Sequence, residues 1–160
     1  MVERELIKAS LSSVRKDLDE VIARIQNGIL DWAPTESMRT IKGQLVEILA
    51  TEQNVCERLQ GLPRRSYQEV EAPFLALNDI QDFTAKLAEI RSATLSLLES
   101  LEDQELAAPA AVSEAFTEYV DLKVVPKSEL FRFIARHESY HAGQLTSYLW
   151  SRGDNPYDWS

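Results

Sequence analysis

Two histidines stand four residues apart in the run His137-Glu138-Ser139-Tyr140-His141, and the chain has no others. On a helix four residues is about one turn, so both imidazoles leave the same face. Two neutral imidazoles side by side are half of a metal site. The run also satisfies H-E-x-x-H, in which two zinc-bound histidines flank a glutamate that activates water. The alternative is a polar core in which both rings are hydrogen-bonded and hold nothing.

The peptidase version of the pattern fits poorly. A third protein ligand is expected downstream, but no histidine follows His141. The extended motif wants glycine at position 144, whereas the sequence has Gly143 and Gln144. Glu138 lies about 100° round the helix from His137 and need not face a metal. No substrate-binding sheet is evident to either side.

The elements that must position the pair are helical. Apolar residues recur at intervals of three and four from Leu6 to Ile25, with Asn27-Gly28 as a stop. The same spacing predicts helices over about Met38–Leu59, with Ser37 as N-cap, over about Asn78–Leu101, and over about Lys127–Ser151. A connection containing Pro63 and Pro73 separates the second and third, long enough to cross a bundle. Residues 102–118 are acidic and weakly patterned, and 120–124 alternate like a short strand. Pro126 suits a first helical turn. The fold class is all-α, a four-helix bundle in one domain over residues 1–160, with a long connection before the last helix.

On that last helix the stripe of Leu130, Phe133, Ile134, Leu145, Tyr148 and Leu149 has His137 and His141 near its middle and Gln144 close by. Polar groups buried without partners cost about 1–3 kcal/mol each, so something should satisfy them. A third metal ligand would have to be a carboxylate from another helix. Glu52 sits at the centre of the second helix's stripe, between Leu49 and Val55, and periodicity favours it. Glu47 lies on a flank and by itself reads as a solvated acid.

Composition narrows the function. A net charge of −9 opposes phosphate backbones and anionic membrane surfaces. One cysteine, Cys56, excludes an internal disulfide and fits a reducing compartment. Its place on the core stripe makes it a small packed hydrophobe. The charged N-terminus is unlike a signal peptide, and no run is apolar enough to span a membrane, so the cytoplasm is the expected location. Trp150, Tyr157 and Trp159 are expected to pack at an edge, cover a pocket mouth or line a dimer surface.

The run His137-x-x-x-His141-Ala-Gly143-Gln144, its apolar continuation to Leu149, and the following Gly153 and Pro156 resemble the last helix of the DinB/YfiT-like superfamily. Trp32-Ala-Pro34 and the stretch from Thr40-Ile41 through Glu47 to Glu52 resemble its second helix. With the four-helix plan, the resemblance extends over nearly the whole chain. It implies an up-down-down-up bundle, often a homodimer. It also implies a divalent metal (zinc, nickel, iron or manganese) on three histidines.

His137 and His141 match two of those histidines, and Glu47 occupies the position of the third. Glu52 falls where the family also tends to have an acid. Two histidines and a carboxylate still form a competent open site, so the resemblance moves the third ligand from Glu52 to Glu47. It implies Gln144 as a supporting residue. The implied activity is a metal-dependent thiol S-transferase or hydrolase of stress or detoxification type, acting on a small molecule with a low-molecular-weight thiol as cosubstrate. The other reading is a non-catalytic dimeric bundle with a degenerate site.

Overall fold

The apolar stripes become four long helices: α1 (Glu3–Ile22), α2 (Ile41–Leu59), α4 (Ile80–Ser100) and α7 (Lys127–Ser151). The computed structural model describes residues 3–159, apart from the side chains of Ala115, Tyr119 and Val120. Residues 1, 2 and 160 of the expected 1–160 domain lie outside the described residues.

Helix ends differ from expectation where local hydrogen bonds win. Helix α1 stops at Ile22 rather than Ile25, and Asn27–Ile29 forms a 3-10 turn in place of a glycine cap. Helix α2 starts at Ile41, not Met38, because Thr40 rather than Ser37 caps it, accepting from the Gly43 amide at 3.0 Å. The preceding connector is pinned to it by bonds from the Ile41 amide to Trp32 O and from the Lys42 amide to Leu30 O. Asp79 caps α4, accepting from the Gln81 amide at 2.8 Å.

The connections contain elements that periodicity did not suggest. Helix α3 (Tyr67–Leu75) lies between α2 and α4 and packs on α2. A capping box starts it: Ser66 accepts from the Glu69 amide, and Glu69 accepts from the Ser66 amide. Between α4 and α7 come α5 (Asp103–Ala107), β1 (Pro109–Ala111), α6 (Glu114–Val120) and β2 (Val124–Pro126). The strand expected over 120–124 is displaced. Val120 closes α6, Asp121 takes the left-handed cap conformation, and only Val124 belongs to β2. The two strands pair antiparallel, with Ala110 opposite Val125.

Contacts along the helices give their directions. Glu3–Arg132 and Arg15–Glu138 run in step, so α1 and α7 are parallel. Glu52–Arg91 and Cys56–Thr94 do the same for α2 and α4. Gln44–His141 and Thr51–His137 run in opposite order, so α2 and α7 are antiparallel.

The apolar core falls into two clusters. One holds Leu18, Leu45, Leu49, Phe83, Leu87 and Leu145; the other holds Ile7, Leu11, Val55, Leu98, Phe131 and Ile134. On all four helices the residues between the two sets are polar: Arg15, Glu52, Arg91 with Thr94, and Glu138 with His141. The functional question lies in this middle layer.

Candidate metal centre

Glu47, His137 and His141 converge, their potential ligand atoms lying within 4.8 Å of one another. The two Nε2 atoms are 3.1 Å apart. Glu47 Oε1 is 4.0 Å from Nε2 of His137, and Glu47 Oε2 is 3.9 Å from Nε2 of His141. In a tetrahedral zinc site with bonds of 2.0–2.1 Å, ligand atoms stand about 3.3 Å apart, so the spacing suits a small divalent ion. His141 is buried; His137 and Glu47 are half-buried on the wall of a cavity of about 670 Å³.

The ring of His141 is set by a chain of hydrogen bonds. Tyr148 OH donates to Arg39 O at 2.9 Å, and Gln44 Nε2 donates to Tyr148 OH at 3.2 Å. That order turns Gln44 Oε1 onto Nδ1 of His141. An amide oxygen only accepts, so the proton sits on Nδ1 and the Nε2 lone pair points at the triad. Thr51 Oγ1 lies 3.5 Å from Nε2 of His137.

Both imidazoles are held neutral. Burial, the neighbouring His141 and the Arg39 charge push His137 down to about 3. Burial and Arg39 push His141 down to about 4, with the Gln144 amide working slightly the other way. Gln144 lines the cavity beside the two rings. Neutral rings, a fixed tautomer and a carboxylate together fit a divalent metal. The competing interaction is an ion pair from the half-exposed Arg39 to Glu47 Oε2.

Glu52 is not part of this group. Its Oε1 accepts from Arg91 Nε at 2.8 Å and Thr94 Oγ1 at 2.6 Å, and its Oε2 from Arg91 and Arg15 at 3.1 and 3.3 Å. Periodicity identified the more buried acid, but arginines from α1 and α4 occupy it. Glu138 is likewise closed off. At 1% exposure it takes two bonds from Arg15, at 2.9 and 2.8 Å, and one from Arg91 at 2.5 Å. It does not line the cavity, so the water-activating role of an H-E-x-x-H glutamate has no place to act.

Cys56 is buried with Sγ 3.2 Å from Thr94 Oγ1, and burial pushes its thiol up to about 12. Trp150 and Tyr157 meet edge to face at the surface, Trp159 packs against the core edge, and none lines the cavity. Gln44, Arg91 and Arg15 went unnoticed in the sequence. Gln44 and Arg91 were detectable as polar residues on apolar stripes, between Ile41 and Ile48 and between Leu87 and Leu98. Arg15, beside Val14 at a stripe's edge, gave no such signal.

The family model described as the DinB superfamily matches residues 10–145. No curated protein matches. Among solved structures, a protein from Streptococcus pneumoniae superposes with a TM-score of 0.69 at 16% identity, covering 93% of this chain and 90% of its own. An uncharacterised protein from Escherichia coli UTI89 gives 0.69 at 12% identity, covering 94% of each chain. A DinB-like protein from Bacillus cereus ATCC 10987 gives 0.63 at 16% identity, covering 90% of this chain and 86% of its own. At such identities the likeness is one of fold.

Proposed function

The chain belongs to the DinB superfamily, and from that premise we propose a divalent-metal protein that acts as a thiol S-transferase or hydrolase on a small molecule. The observation that carries this reading is the convergence of Glu47, His137 and His141 on a cavity wall. These three residues would hold the metal. When bound, it would act as a Lewis acid, stabilising a thiolate or lowering the pKa of water.

The chain's own residues have distinct tasks. Gln44 keeps His141 in the Nδ1-protonated form, and Tyr148 keeps Gln44 turned the right way. Burial keeps both rings unprotonated, so their lone pairs are available near neutral pH. Arg39, half in solvent, pairs with Glu47 and would have to yield the carboxylate for it to serve as a ligand. The cavity would take the substrate beside the triad, with Leu130 and Phe133 as part of its apolar wall.

The Arg39–Glu47 pair also supports a second reading, a non-catalytic dimeric bundle whose third ligand has been captured by a cation. Metal content separates the two. Untagged protein is analysed for bound elements, then titrated with zinc, nickel, iron and manganese. The metal reading expects one equivalent per chain, lost in His141→Ala and weakened in Glu47→Gln. Background metal in the wild type, with no change in His141→Ala, would leave the vestigial bundle.

A further inference from the structure

The cavity beside the triad has two unlike ends. Its α2 wall carries Glu47, Thr51, Val55 and Arg58, spaced three and four apart on one helix face. At 1.5 Å per residue, Arg58 stands about 16 Å beyond Glu47 along that helix. Helix α7 runs the other way, so Leu130 and Phe133 lie toward Arg58 while His141 lies toward Glu47. Val55, Phe116, Leu130 and Phe133 make the stretch between them mostly apolar, with Thr51, Asn54 and Ser113 as its polar members.

Three arginines line the cavity, and two have carboxylates. Arg39 contacts Glu47, and Arg136 pairs with Glu129 at 2.6 Å. Arg58 has none. Its Nη1 is buried with no hydrogen-bond partner, and among the described residues it forms no ion pair. Burial and the nearby Arg64 charge both lower its pKa. A desolvated guanidinium donor is costly unless something accepts from it. In a chain with a net charge of −9, a cation left without an acid at the end of an apolar channel is positioned for an anion from outside.

We propose that this cavity takes an elongated amphipathic organic anion, with its carboxylate on Arg58, its apolar body on Val55, Phe116, Leu130 and Phe133, and its far end at the triad. This names the substrate class of the proposed metal centre and rests on that reading only for what happens at the far end. Capture of the head group belongs to Arg58 alone.

The test uses EDTA-treated full chain, with octanoate, 1-octanol and acetate as probes. The chain has two histidines, so its imidazole NMR signals report the triad end without ambiguity. Octanoate is expected to shift both imidazole signals saturably, and acetate to leave them unmoved. In Arg58→Gln the octanoate affinity should fall by about tenfold or more, with Arg58→Lys between that and wild type. The affinity for 1-octanol should be the same in all three. Unchanged octanoate affinity in Arg58→Gln overturns the proposal, as does an equal loss for octanoate and 1-octanol in both variants.

Metal content is measured separately on the same proteins. A chain that binds octanoate through Arg58 but holds no metal refutes the metal reading and leaves anion capture standing. A chain that holds metal but is indifferent to Arg58 does the reverse.

Discussion

Glu47 and Glu52 are five residues apart on one helix, and Glu138 is next to His137 on another, yet the acids live in opposite environments. Glu52 and Glu138 share Arg15 and Arg91 in a closed cluster, where every carboxylate oxygen has at least one donor. Glu47 faces two neutral imidazoles, with one half-exposed arginine at its side and a cavity in front. A buried carboxylate saturated by guanidinium groups has no lone pair to offer and serves to align the helices that supply its partners. A carboxylate opposite uncharged nitrogens can still take a metal. The difference is made by two arginines that reach Glu52 and Glu138 but not Glu47.

The sharpest way to break this contrast is to remove a guanidinium from the closed cluster. Arg91→Met leaves Glu52 and Glu138 short of donors at 2% and 1% exposure. It should destabilise the protein by about 3–5 kcal/mol, read by urea unfolding. A loss below about 1 kcal/mol would mean that the cluster is as open as the triad.

The next effect lies in the open region. Gln44→Ala frees the His141 ring and should weaken metal binding about 10–100-fold, whereas Glu138→Gln should change it little. Metal titration of both variants ranks them, and the opposite ranking would restore the zinc-peptidase pattern.

The buried thiol at the edge of the closed cluster gives a pH signature. Cys56 is held near 12 in the native state, by burial first, against an ordinary 9.0 once unfolded. Above pH 9 the unfolded chain loses a proton that the native chain keeps. Stability therefore falls as pH rises, by up to about 1.4 kcal/mol per pH unit for this group. Urea unfolding of wild type and Cys56→Ala at pH 8 and pH 10 isolates the contribution, which should vanish in the variant. Native Cys56 should also resist thiol reagents at pH 8.

The smallest effect is expected where the contrast predicts it. Glu47→Gln removes a partner from an arginine that is half in solvent, so stability should change by less than about 1 kcal/mol. A loss matching that of Arg91→Met would make Glu47 a structural acid.

The fold was legible because it depends on local pattern. Apolar spacing of three and four fixed all four long helices, and the last was placed from Lys127 to Ser151 as found. The short elements were missed because capping decides them, not periodicity: Ser66 with Glu69 starts α3, and Ser113, accepting from the Phe116 amide, starts α6. In the site, the i, i+4 spacing put both histidines on one face, since that follows from helix geometry alone.

Which acid met them could not be read from any single helix. On α2 Glu52 has the better phase, and on α7 Glu138 completes a known string. Their availability depends on Arg15 and Arg91, which are distant in sequence and arrive from α1 and α4. The sequence by itself determined the four long helices, their buried faces and the histidine pair. Only the packing of four helices decided that Glu52 and Glu138 are neutralised and that Glu47 is left facing the rings, because ion pairing depends on distances between helices that no one-dimensional period contains.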